Sequence, residues 1–195
     1  MSHTPPAPLN GISSMATRQL LADVLARWQA QGGQAVAMAS VGGVDAARRV
    51  AAGEAFDLVV LASDAIDGLM AAGHLLAGSR VDLVRSAVAV AVPAGAPQPD
   101  IGSEAALRAA VLAAPSIGYS TGPSGTQLLK LFERWGLGDR LQGRLVQARA
   151  GVPVGSLVAS GEVALGFQQR SELIGLAGIQ LLGDLPSPVQ IHTIF

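Results

Sequence analysis

The 195-residue chain has no cysteine. Disulfides, thiol nucleophiles and cysteine-ligated metals are therefore excluded. Charge is scarce: 14% of residues carry it, and the formal net charge is −1. Lys130 is the single lysine among thirteen basic residues, and no basic run is interleaved with aromatics. Neither nucleic acid nor an anionic membrane finds a footprint here. The three histidines, His3, His74 and His192, lack metal-ligand spacing, so neither a metal nor another cofactor is expected. No Gly-Lys-Ser/Thr phosphate loop and no Gly-x-Ser-x-Gly elbow occurs. The longest apolar stretch, 86–92, has the length of a strand and not of a membrane span. The first eight residues, Met-Ser-His-Thr-Pro-Pro-Ala-Pro, carry no basic segment and no apolar segment of an export signal. As written, the chain reads as cytoplasmic. It reads as periplasmic if its start follows a removed signal.

What is present is apolar residues, 50% of the chain, together with 24 glycines. Strand-like and helix-like patterns alternate nearly throughout. An apolar helix face is expected over 20–28, with Trp28 in the core, and strands over 36–39 and 57–62. The second of these strands reads as buried on both faces. Helices are expected over 44–52, closed by Gly53, and over 65–72. A long extended segment spans 81–92, followed by a proline-rich loop. Then come a helix from Ser103 to residue 112, a strand at 117–119, and a helix at 127–135 that carries Trp135 on its apolar face. Further strands are expected at 145–147, 163–167, 179–182 and 189–195, with helices at 154–160 and 171–176. The alternation predicts an α/β fold of mostly parallel sheets flanked by helices.

Four segments share one design, in which a strand ends, a Ser- or Gly-rich turn follows and a helix opens. They are Asn10-Gly11-Ile12-Ser13-Ser14, Ser40-Val41-Gly42-Gly43, Ser120-Thr121-Gly122-Pro123-Ser124-Gly125-Thr126 and Ala150-Gly151-Val152-Pro153. The first turn of a helix carries unpaired N–H groups and partial positive charge. Small residues let a ligand approach that turn, and hydroxyls add donors. Repeated four times, the design points to a small anion as ligand, bound at the carboxyl ends of strands.

Several stretches at these joints resemble the type 2 periplasmic-binding fold and, within it, the molybdate-binding protein family. They are Ile12-Ser13-Ser14-Met15, Ala47-Arg48-Arg49-Val50-Ala51-Ala52-Gly53 with Phe56-Asp57-Leu58-Val59-Val60, Pro123-Ser124-Gly125, and Ser160-Gly161-Glu162-Val163-Ala164-Leu165-Gly166-Phe167. The resemblance implies a two-lobed α/β protein with an anion in the cleft between lobes. The first lobe is expected at 9–85 plus 189–195 and the second at 86–188. It implies a solute-binding protein that serves an ABC importer if exported. Ser14, Gly42, Gly43, Ser124, Gly125, Gly151 and Val152 are the cleft positions it implies. Relatives continue past the last strand into helices that complete the first lobe, so apolar surface is expected there.

The chain departs from that family at chosen points. Gly42 and Gly43 stand where relatives supply a serine hydroxyl, and Gln169 stands where they carry a tyrosine. Gln168, Gln169 and Arg170 instead offer amide and guanidinium groups, which suit a carboxylate. Aconitate isomerase resembles the same fold, so the alternative is a cytosolic isomerase that shifts the double bond of an unsaturated di- or tricarboxylic acid. The candidate ligand residues are Ser13, Ser14, Gly42, Gly43, Ser120, Ser124, Gly125, Thr126, Gly151, Val152, Gln169 and Arg170, with Arg80 and Arg85 as further cations. Asp64 has two readings, a general base or a helix N-cap.

Overall fold

The structure, a computed structural model, describes residues 6–195. His3 lies outside the described residues. Two compact units are present, Met1–Leu83 with Phe195, and Val84–Ile194.

The first unit is a parallel three-stranded sheet in the order β2-β1-β3, formed by β1 (Leu9–Ser14), β2 (Val36–Val41) and β3 (Leu58–Val60). Three helices link the strands: α1 (Arg18–Ala30), α2 (Gly43–Ala51) and α3 (Ser63–Ala71). Side chains alternate between sheet faces. One face sends Ile12 and Leu61 into a cluster with Ala46, Val50 and Leu69 of α2 and α3. The register pairs Gly11 with Met38 and Leu58, and Ser13 with Ser40 and Val60, which places these residues on the other face. There Met38, Leu58 and Val60 join Leu21, Leu25 and Phe195 along an apolar groove of about 510 Å³.

Two expectations fail in the first unit. Trp28 is 51% exposed and not in the core, and Leu58 is 39% exposed, so β3 is not buried on both faces. Periodicity reports which residues share a face and is silent on what covers that face. The Trp28 indole instead donates to the Gln34 carbonyl at 3.0 Å.

The second unit contains β4 (Arg85–Pro93), α4 (Glu104–Ala113), β5 (Ile117–Tyr119), α5 (Pro123–Arg134), β6 (Leu145–Gln147), α6 (Val154–Ala159), β7 (Leu165–Gln169), α7 (Arg170–Leu173), β8 (Ile179–Asp184) and β9 (His192–Ile194). Its sheet runs β6-β5-β7-β4-β8, and β9 also pairs with β4. β5 is parallel to β6 and β7, whereas β4 is antiparallel to β7, β8 and β9. The strand of the 81–92 segment begins only at Arg85, and that of 189–195 only at His192. β4 is buried on both faces. Val88, Val90 and Val92 enter a cluster with α4 and α5, while Ala89 and Ala91 face α6 and α7. Small residues on the second side leave room there, and Gly166 sits against Val158 and Val154.

Candidate functional site

The helix mouths lie at the carboxyl ends of parallel strands in each unit. In the first unit, Ser13 and Ser14 end β1, and Gly42–Gly43 open α2 beside them. Ser13 is fully buried, and its Oγ shares a 2.8 Å hydrogen bond with Ser40 Oγ. Ser14 Oγ accepts the Ala16 N–H at 3.3 Å, capping a short 3-10 turn. Gly42 is the N-cap of α2 and provides no side-chain cap, so the first turn of that helix keeps its donors. A Cβ built on Gly43 would lie 3.6 Å from Ser14 Oγ, which places the helix mouth directly against that hydroxyl.

Asp64 is exposed in the first turn of α3, where its Oδ1 accepts the Ala65 N–H at 2.9 Å. The N-cap of α3 is Ala62, so Asp64 does not occupy that position. A carboxylate in the first turn still favours the helix dipole. Arg80 is held by Asp67 at 2.7 Å and by Asp82 at 2.9 Å.

In the second unit, Ser120 follows β5 and its Oγ lies 3.1 Å from Ser124 Oγ, in the first turn of α5. Ser124 is buried; Thr126 is exposed. The N-cap Gly122 supplies no side-chain cap. Gly125 packs against the Ser120 carbonyl so closely that no Cβ fits. Gly151, with φ +78°, and exposed Val152 lead into α6. The α6 mouth already has a protein partner, since Gln168 Oε1 accepts the Gly155 N–H at 2.9 Å. Gln168 Nε2 donates to Glu172 Oε1 at 2.8 Å. Burial pushes the Glu172 carboxyl up to about 7, and the Gln168 hydrogen bond opposes that shift.

Gln169 is buried, and its Nε2 donates to Thr193 Oγ1 at 2.6 Å. Arg170 Nη1 meets Asp184 Oδ1 at 2.8 Å. Arg85 is exposed at the start of β4. The structure thus brings Ser13, Ser14, Gly42 and Gly43 together in one unit, and Ser120, Ser124 and Gly125 together in the other.

Ser40, Glu172 and Thr193 were not singled out from the sequence. Ser40 opens one of the four Ser/Gly joints. Thr193 carries no local signal, because it meets Gln169 from 24 residues away. No cluster of three His, Asp or Glu side chains suited to a metal occurs among the described residues. None of their helices is long and apolar enough to cross a membrane.

Comparison with known proteins gives these mouths a context. Residues 9–195 match the family model of bacterial extracellular solute-binding proteins. The chain is 40% identical over 150 residues to an aconitate isomerase from a Pseudomonas species. That match takes in 75% of this chain and 56% of the relative, so the chain spans little more than half of the relative's length. The periplasmic molybdate-binding protein of Azotobacter vinelandii superposes with a TM-score of 0.73 at 22% identity, over 95% of this chain and 84% of that one. The tungstate ABC transporter structure from Geobacter sulfurreducens gives 0.67 at 17%, over 98% and 86%. These two likenesses concern the fold, which is the type 2 periplasmic-binding architecture.

Proposed function

The chain belongs to the bacterial extracellular solute-binding protein family, and on that premise we propose that it binds a small oxyanion or carboxylate through helix N-termini and hydroxyls. The observation that carries this reading is the pairing of a hydroxyl couple with an uncapped helix mouth in each unit. These are Ser13 with Ser40 near α2, and Ser120 with Ser124 in α5. Each couple has hydroxyl hydrogens that reorient toward an acceptor, and the helix mouth adds N–H donors and positive potential. Ser14, Gly43 and Gly125 belong to these mouths. Thr126, Gly151, Val152, Arg85 and Arg170 are further ligand candidates at or near the strand ends. An ABC importer is the partner expected of an exported member, and the periplasm its location.

A second reading is favoured by the identity with the Pseudomonas aconitate isomerase. In it the bound anion is an unsaturated tricarboxylate. A base removes a proton from the CH2 carbon next to the double bond, the double bond shifts by one position, and the proton returns at the far carbon of the original double bond, so the atoms balance. Asp64, exposed in α3, is the candidate base.

A thermal-shift panel of molybdate, sulfate, citrate and trans-aconitate tests the binding reading, because ligand bound only by the folded state raises the melting temperature. At least one anion should raise it, and no shift from any of the four overturns anion binding. Proton NMR of trans-aconitate with the protein separates the two readings. Conversion to the cis isomer supports the enzyme, while an unchanged spectrum with a positive shift supports binding alone.

A further inference from the structure

α1 is thirteen residues long, yet Leu21 is its only buried residue. A helix of that length is marginal in water unless an apolar face is packed. At about 100° per residue, its large apolar side chains fall in one unbroken arc of about 140°, in the order Leu20, Val24, Trp28, Leu21, Leu25. Leu21 and Leu25 take the groove side of this arc. Leu20, Val24 and Trp28 form its other side and stand exposed. Leu76, Val81 and Leu83 line the same groove, and the first two are 79% and 71% exposed. Leu21 and Leu25 therefore join two sets of exposed apolar side chains into one face of the first unit.

The size of this face bears on what covers it. Six such side chains, exposed by about half or more, offer on the order of 500 Å² of apolar surface. A homodimer interface of standard size takes about 800 Å² from each copy, roughly two-thirds of it apolar, which is again about 500 Å². A twofold interface uses the same patch on both copies, so one self-complementary face is enough.

The charges on α1 bear on the orientation. Arg27 and Asp23 flank the Leu20 edge of the arc, four residues apart. Asp23 accepts a hydrogen bond from Gln19, and among the described residues neither Asp23 nor Arg27 has an ion-pair partner. In an antiparallel pair of α1 helices with the twofold axis at Val24, Leu20 of one copy meets Trp28 of the other. Asp23 of one copy then comes within one helical turn of Arg27 of the other, and the contact is made twice. A parallel pair puts the two flanks on opposite sides of the seam, where these charges do not meet.

We propose that this face seats a second copy of the chain, with α1 antiparallel to its mate about a twofold axis at Val24. The same axis sets the two grooves side by side, where Leu76, Val81 and Leu83 of each copy come under cover.

Sedimentation velocity of the 195-residue chain, from about 1 to 100 µM, tests this. The mass should settle at twice the 19.7 kDa of one chain, and the melting temperature should rise with concentration. Val24→Glu sets two carboxylates at the axis and should weaken dimerisation at least about a hundredfold. Asp23→Arg turns the crosswise attraction into repulsion and should weaken it about tenfold. Adding Arg27→Asp to that variant reverses the pair and should restore the wild-type constant, which general stickiness of the face does not predict. Asp23 and Arg27 are exposed, so these charge variants read the interface without touching the core. Ile174→Glu, at an exposed apolar residue of the second unit, is the control and should leave the dimer unchanged. A mass of one chain throughout overturns the inference, as does a mass that climbs past two chains without a plateau. A dimer that survives Val24→Glu, or is lost in Ile174→Glu, overturns the seat on α1. A charge-reversed pair that fails to recover overturns the antiparallel arrangement.

Discussion

In the second unit the sheet is covered on both faces, with β4 sending valines to one side and alanines to the other. In the first, one face packs a cluster of five buried residues and the other opens into a groove. The strand-turn-helix joints look alike in the two units, yet the scaffolds behind them differ in depth. Gly125 is sealed against the Ser120 carbonyl, whereas Gly43 is open toward Ser14. A Ser/Gly motif therefore specifies a helix mouth without specifying whether its glycine serves packing or access.

The largest expected effects probe the depth of the two cores. Phe167→Ala empties a site between Phe132 and the sheet and should cost about 3–5 kcal/mol. Leu69→Ala acts in the small cluster of the first unit, whose neighbours can relax, and should cost about 2 kcal/mol. Urea unfolding followed by hydrogen exchange assigns each loss to its unit. Equal losses would remove the difference in core depth.

The glycines give the next effect. Gly125→Ala forces a Cβ into the Ser120 carbonyl and should destabilise by about 1–3 kcal/mol. Gly43→Ala meets only ordinary contact at 3.6 Å and should leave the melting temperature nearly unchanged. Its anion affinity should nevertheless fall, because the added methyl stands at the helix mouth beside Ser14. If Gly43→Ala binds as tightly as the wild type, the openness of that mouth has no role in ligand approach.

Much of this contrast was legible in the sequence, and for physical reasons. The joints were readable because turn chemistry is local: Ser103 caps α4 and Gly53 follows α2 with φ +84°, as residue type alone predicts. The α/β alternation followed from period and length. Exposure was not readable, because Trp28 and Leu58 lie on apolar faces whose cover is a tertiary matter. Nor were the polar partners. Thr193 for Gln169, Asp184 for Arg170 and Asp67 for Arg80 come from other elements, and no spacing rule links them. The hydroxyls of Ser13 and Ser120 pointed to an anion; the pairing of Ser13 with Ser40 required the register, whereas Ser124 lies only four residues from Ser120.

Only the second unit shows a carboxyl raised to about 7, at Glu172, among the described residues. The usual carboxyl value is 4.5, so between these two values the folded state holds a proton that the unfolded state releases. The stabilisation is full below about pH 4.5 and is lost as pH rises through about 7. Screening by solvent keeps the change on the order of 1–2 kcal/mol. Glu172→Gln keeps an acceptor for Gln168 and removes the charge, so it should flatten the fall in melting temperature between pH 5 and 8. A fall of the same steepness in the variant would place its origin elsewhere.

The smallest effects compare one arginine from each unit. Arg80 is gripped by two carboxylates, Asp67 through both oxygens and Asp82 through one. An arginine so engaged would have to break several charge-assisted bonds to serve a ligand, and it lines the apolar groove rather than a helix mouth. Arg80→Gln should therefore leave anion affinity within twofold of the wild type. Arg170 meets Asp184 through Nη1, directly after Gln169 at the end of β7, and on the proposed reading the rest of its fork assists a carboxylate. Arg170→Gln should weaken carboxylate binding a few-fold, and more at low salt than at high salt. If Arg80→Gln weakens binding more than Arg170→Gln does, the cation that matters lies in the first unit.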